Sequence, residues 1–271
     1  MAVITKITVQ KKNTERYNIF LDYGKGEEYA FSVDEDVFIK FNLKKGLELD
    51  EFALMEINYQ DDIRKAYNDA VHFLSRKMRT EFEVRKFLQE KEVEEPIIQE
   101  VIHKLYEYKF LNDEEYALAF VRTQMNTTDK GVDVIRRELL EKGINPQLIV
   151  QALEEYPLER QITKAKELLE KSLQKKSKDS ERILKQKSEQ ALLRKGFPFD
   201  VISIAMEEYE GKKDEVEEME ALRYQGEKAH RKYSGLNGFE YQQKMKQALY
   251  RKGFSFDLIE KFLAEKKDEL E

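Results

Sequence analysis

The chain has 271 residues, 38% of them charged and 41% hydrophobic, with a formal net charge of −6 and no cysteine. That balance excludes a disordered chain, which has too few large apolar residues to bury, and the missing cysteines exclude a disulfide framework and a thiolate zinc site. MAVITKITVQKK lacks the apolar core of a signal peptide, and no apolar run approaches the ~20 residues needed to span a bilayer. A soluble cytoplasmic protein without membrane contact is expected, and the acidic total argues against a generic polyanion binder, although local patches can differ from it.

Residues 1–60 read as strands. ITKITVQ alternates imperfectly at Ile4, Ile7 and Val9, RYNIFLDY alternates at Tyr17, Ile19, Leu21 and Tyr23, and EYAFSV continues with Tyr29, Phe31 and Val33. Period-two alternation around a YGKGEE turn predicts a hairpin or three-stranded sheet. A helix from near Asp34 to Gly46 packs on it, which completes a small α/β cap.

Beyond residue 60 the chain repeats itself. ALLRKGFPFDVI (191–202) and ALYRKGFSFDLI (248–259) are near copies, with a third relative around Lys142 and a weaker fourth around Lys91. Aligned on Lys91, Lys142, Lys195 and Lys252, the copies lie 51, 53 and 57 residues apart. Three residues before the lysine stands Leu88, Leu139, Leu192 or Leu249; two after it stands Val93, Ile144, Phe197 or Phe254; seven after it stands Ile98, Ile149, Ile202 or Ile259. Apolar identity persists in these columns while the residue before the lysine varies (Glu90, Glu141, Arg194, Arg251), the pattern of a repeated core with a free surface.

Gly143, Gly196 and Gly253 each follow a helical run at a position that favours a left-handed conformation. Asn145 and Ser255 suit the N-cap of the next helix, and Pro146 its first turn. In the first copy Glu92 replaces the glycine, so a strained turn is expected there, at a cost of roughly 1 kcal/mol. One further helix fits upstream of each pair, as in NDEEYALAFV, where Asn112 or Asp113 caps and Tyr116, Ala117, Phe120 and Val121 form the apolar stripe. The expected fold is therefore mainly α: tandem three-helix repeats over 61–110, 111–156, 157–210 and 211–271, stacked in an elongated, curved array behind the strand-containing cap.

The sequence holds no catalytic signature. His72, His103 and His230 are isolated, no phosphate-cradling loop appears, and no nucleophile has an orienting partner. No catalytic residue, metal site or cofactor is expected. The basic residues are more informative because they are uneven. Between Ile162 and Lys195 eleven Lys and Arg face five acidic residues. SRKMRTEFEVRK gathers Arg76, Lys77, Arg79, Arg85 and Lys86 around one helix start, with Arg76, Arg79 and Lys86 on one face at three-to-four spacing, and VIRRELLEK adds Arg136 and Arg137. With Lys185, Lys187, Arg194 and Lys195 of the third unit, these are the candidate partner- or DNA-binding residues. The plain alternative for each patch is a solvated helix face; no aromatic residues interleave to stack bases.

FLSRKMRTEFEVRKFLQEK, FLNDEEYALAFV, KGVDVIRRELLEKGINPQLI and the later LLRKGF copies resemble the RecX regulatory proteins, over essentially the whole chain. The basic run ending at Arg79-Thr80 with Glu83, the NDEEYA block and EKGI after Gly131 carry the likeness. Thr80 departs from the serine usual in that family, and Glu92 from the glycine of the repeat. The resemblance implies a partner of RecA, engaged chiefly as the filament on single-stranded DNA, that inhibits its strand exchange, co-protease and ATPase activities by blocking filament growth or promoting disassembly, in DNA recombination, repair and the SOS response; a monomer with weak direct DNA contact is expected beside it. Two rivals stand beside it: an independent DNA-binding architectural protein, and a helical-repeat scaffold for an unrelated partner.

Overall fold

A computed structural model describes residues 1–174, 177–209 and 214–268. The cap is an antiparallel sheet of β1 (Ala2–Val9), β2 (Arg16–Asp22), β3 (Glu27–Asp34) and β4 (Glu48–Leu49), in the order β3-β2-β1-β4. Ile4, Ile19, Leu21 and Val33 turn inward and are fully buried. Opposite Phe20 and Leu21, β1 carries one extra residue between Ile4 and Lys6. This bulge at Thr5 is why the apolar alternation of β1 slips out of phase. At the β2–β3 turn the Asp22 carboxylate accepts the N–H groups of Gly24, Lys25 and Gly26, and those of Gly26 and Gly24 hold its pKa below the ordinary carboxylate value.

Three features differ from the sequence expectation. Helix α1 (Glu35–Lys40) stops well short of Gly46, because Asn42 takes a left-handed φ of 47° that ends the helix. The chain then returns as β4, a two-residue strand pairing with Ala2 and Val3, so the sheet has four strands rather than three. Helix α2 (Glu51–Leu74), capped by the Asp50 side chain on Ala53 N–H, runs through residue 60, the expected edge of the cap. Its Ile57 belongs to the cap core and its Ile63, Ala66 and Ala70 to the next core, so one helix serves both. Asp61, 2% exposed, pins it to the sheet by accepting from Arg16 (2.8 Å) and the Asp34 N–H (2.8 Å), with Lys65 at 2.9 Å.

The rest is helical. The first triplet is completed by α3 (Glu81–Glu90) and α4 (Glu95–Glu107); the second is α5 (Asp113–Thr127), α6 (Val132–Glu141) and α7 (Pro146–Leu153). The third is α8 (Leu158–Leu173), α9 (Glu181–Arg194) and α10 (Phe199–Glu207); the fourth is α11 (Glu215–Tyr233), α12 (Gly238–Arg251) and α13 (Phe256–Asp268). The sequence columns are the cores: Leu88, Leu139, Leu192 and Leu249, and Ile98, Ile149, Ile202 and Ile259, are all buried. The turn after each middle helix is left-handed, at Gly143 (φ 76°), Gly196 (φ 85°), Gly253 (φ 91°) and, under strain, at Glu92 (φ 61°). Beyond the turn, Val93, Phe197 and Phe254 return their N–H to Leu88, Leu192 and Leu249 respectively. The middle helices are not equal: α3 and α6 have 10 residues, α9 and α12 have 14.

The chain divides into two compact units, Met1–Ala117 with Leu140–Leu148, and the remainder, so the second triplet contributes to both. The expected boundary between third and fourth repeats, at 210–211, and Lys175 and Lys176 of the basic stretch lie outside the described residues. Among the described residues no helix is long and apolar enough to cross a membrane, and no cluster of metal-ligating side chains forms.

Candidate interaction surface

The surface is set by how one triplet meets the next. Thr80 caps α3 in a capping box, its hydroxyl accepting from Glu83 N–H while the Glu83 carboxylate accepts from Thr80 N–H. The same hydroxyl donates to the carbonyl of Lys142, 2.8 Å away, at the end of the next middle helix. Ser180 repeats this at the start of α9, donating to Lys252 O at 2.6 Å. Gly131, at the start of α6, has no hydroxyl; its own N–H donates to Lys195 O at 2.7 Å and Asp133 N–H to Gly196 O at 3.0 Å. Each aligned lysine from the second triplet on thus offers its carbonyl, otherwise unpaired at a helix end, to the triplet before it.

This junction explains the glycines twice over. Besides the left-handed φ, a Cβ on Gly143 would stand 2.4 Å from Phe82 Cβ, one on Gly196 2.5 Å from Val134 N, and one on Gly253 2.3 Å from Ser180 Oγ. At the equivalent place in the first triplet, which follows the sheet cap, stands Glu92 with a full side chain.

The candidate cations divide into two groups. Arg79, Arg85, Lys185, Lys187 and Lys195 are engaged. Arg85 pairs with Glu81 (2.7 Å) and Glu95 (3.0 Å), Lys185 with Glu181 (2.7 Å), and Lys187 with Asp179 (2.5 Å). Lys195 and Lys164 share Asp129 at 3.3 and 3.4 Å; burial raises the Asp129 pKa, but these two ammonium groups outweigh it and hold the carboxyl below its ordinary value. Arg79 lies 4.2 Å from the Phe73 ring centroid and 3.8 Å from Glu83, so it is packed into the protein. Arg76, Lys77, Lys86, Arg136, Arg137 and Arg194 are exposed and have no ion pair or hydrogen bond among the described residues.

Arg76, Lys77 and Arg79 sit in the connection between α2 and α3, not on a helix with Lys86, because Thr80 fixes the start of α3 at Glu81. The expected three-to-four face is not formed. His72 and His103 lie on α2 and α4, and His230 Nδ1 is 2.9 Å from the Tyr241 hydroxyl. Sequence reasoning missed Thr80, Gly131 and Ser180 as junction residues. The signal was present: they stand 11, 11 and 15 residues before their own aligned lysine, and Asn237 stands 15 before Lys252.

A sheet-capped series of three-helix units, joined by a repeated hydroxyl- or amide-to-carbonyl contact and displaying exposed cations, defines a helical-repeat protein. Comparison with known proteins narrows the class. The regulatory protein RecX N-terminal domain matches residues 2–50, the first RecX three-helix domain 66–105, the second 112–153, and the third matches twice, at 159–206 and 215–263. The double match falls on the two triplets with 14-residue middle helices. Regulatory protein RecX of Bacillus cytotoxicus is 50% identical over 269 residues, and that of Bacillus thuringiensis 49%, each alignment covering 99% of this chain and all of the relative. A crystal structure of regulatory protein RecX aligns with a TM-score of 0.68 and 38% identity over 77% of this chain and all of that one. RecX from Lactobacillus salivarius aligns at 0.54 and 41%, over 55% of this chain and 97% of that one. The chain belongs to the RecX family of non-enzymatic regulatory proteins.

Proposed function

We propose that this protein is a cytoplasmic negative regulator of the RecA recombinase that binds the RecA filament on single-stranded DNA and inhibits its growth, ATPase and strand exchange. The observation that carries the reading is the RecX match along 269 residues, cap and four triplets included. The free cations Arg76, Lys77, Lys86, Arg136, Arg137 and Arg194 supply contacts to acidic protomer surfaces or to DNA phosphates, and the engaged Arg79, Arg85, Lys185, Lys187 and Lys195 hold the elements that present them.

Selectivity for filament over free recombinase follows from linkage. Contacts that are weak singly add by effective concentration when they sit on one chain, but only if the protomers stand at matching spacing. The test is recombinase ATPase on single-stranded DNA with the protein present well below one-to-one. Inhibition at that ratio supports blocked filament growth; unchanged ATPase even at excess protein removes the reading.

A further inference from the structure

The junction between the third and fourth triplets forms a groove of about 580 Å3 between α9, α11 and α12. Lys187, Lys228, Lys232, Arg251 and Lys252 line it, with Asp179 as the one carboxylate. Asp179 pairs with Lys187. The other four cations have no carboxylate partner among the described residues.

The earlier junctions are built differently. At the first, Lys142 lies 3.4 Å from Glu83; at the second, Lys195 shares Asp129 with Lys164. Lys252 occupies the same place in the repeat without such a neighbour, and Arg251 stands where the second triplet has Glu141. The excess is not a general property of the surface either: the groove between α2 and the turn into α4 is lined by Asp62, Asp69, Glu92 and Glu94 against Lys65 and Lys91. At the rim of the basic groove, Lys228 and Lys178 lie 4.5 and 4.0 Å from the Tyr224 ring centroid and lower the pKa of its hydroxyl. A positive field therefore sits at one place on a chain of net charge −6.

We propose that this groove binds the phosphodiester backbone of a single nucleic-acid strand, independently of any recombinase. Three of its four cations without a carboxylate partner are lysines, compact charges on flexible stems that follow phosphates without reading base edges. An acidic peptide is the less suited occupant, since bidentate capture of carboxylates favours arginine.

The test is fluorescence anisotropy of a labelled oligo(dT) without recombinase, across a salt series. Each phosphate contact on a single strand adds about 0.7 to the slope of log affinity against log salt. The triple variant Lys228→Gln/Lys232→Gln/Arg251→Gln should lower that slope by about 2, with its circular dichroism unchanged, while Lys11→Gln/Lys12→Gln, exposed in the connection between β1 and β2, should leave it unchanged. No binding by the wild type at low salt, an unchanged slope in the triple variant, or competition by polyglutamate as strong as by oligo(dT) overturns the site. Because no recombinase is present, failure here leaves the filament reading intact.

A second observation stands apart from this one. At the far end of the chain, Asn237 caps α12 as Thr80 caps α3, and Phe239, two residues on like Phe82, is 80% exposed. The last triplet thus ends in the donor half of a junction, and the first triplet begins with the acceptor half, Lys91-Glu92. We infer that Glu92 is a stop: its side chain occupies the space that glycine leaves open at every internal junction, so the donor end of a second copy cannot dock. Terminal repeats of stacked arrays need such protection.

Light scattering at rising concentration tests it. Glu92→Gly should form multimers that grow with concentration, and Glu92→Gly/Phe239→Asp should return to monomer. A Glu92→Gly protein with constant, wild-type mass overturns the inference, as does a wild type that already multimerises through Phe239.

Discussion

The Thr80 hydroxyl donates to the Lys142 carbonyl across 62 residues of sequence, at 2.8 Å, while serving as N-cap of its own helix. Both of its hydrogen-bonding roles are used, and Thr80 is fully buried. Thr80→Ala should therefore destabilise the protein by about 2 kcal/mol, a lost cap together with an unsatisfied carbonyl, whereas Thr80→Ser should cost little. Urea unfolding of the two variants checks this; equal stability would mean that the hydroxyl is dispensable.

Gly131 isolates space from backbone conformation. Its φ is not left-handed, yet a Cβ there would stand 2.2 Å from Gly196 O. Gly131→Ala should cost about 1–3 kcal/mol through overpacking and should speed amide exchange at Asp133, whose N–H is bonded to Gly196 O. Unchanged exchange there would show that the junction is looser than its geometry.

Asp61→Ala leaves the Arg16 guanidinium, whose side chain is 14% exposed, with the Ser32 carbonyl and hydroxyl but no carboxylate, and takes the acceptor from the Asp34 N–H. Breaking a buried pair from one side costs about 3–5 kcal/mol, so the cap should unfold at markedly lower urea. A loss below about 1 kcal/mol, the range of exposed pairs, would mean that Arg16 finds water or another partner.

Asp113 supplies a pH test. Burial raises its pKa, the Glu81 N–H bonded at 2.9 Å pulls it back, and the Glu81 and Glu83 carboxylates raise it again, leaving it above the ordinary value. A raised folded pKa means stability that is present in full below the unfolded pKa and is lost as pH climbs through the folded one. Asp113→Asn keeps the acceptor oxygen and removes the charge. It should be more stable than wild type at about pH 7 and equal to it below about pH 4. A pH-independent difference in urea unfolding would contradict the assignment.

Much of this architecture was legible in the sequence because a repeat reports its own core. Leu88, Leu139, Leu192 and Leu249 align and are buried, and the strained left-handed turn expected at Glu92 is found there. What failed was not periodic. β4 is two residues long and has no alternation to detect, and Asn42 ends α1 through one local torsion. Arg79 reads as surface charge, yet Phe73, six residues earlier at the end of α2, gives it a packing partner. The junctions escaped because each joins a cap in one triplet to a carbonyl in the next, a relationship that pattern within a triplet does not contain.

The most direct measurement of the central claim compares binding to RecA assembled on single-stranded DNA with binding to unassembled RecA, for the wild type and for Arg76→Glu/Lys77→Glu/Lys86→Glu. These three side chains are exposed and unpaired, so the triple variant should fold normally. The account predicts tight binding to the filament, weak binding to free RecA, and at least about a tenfold loss of filament affinity in the variant, roughly 1.4 kcal/mol. Equal affinity for both forms of RecA, or none for either, would contradict it.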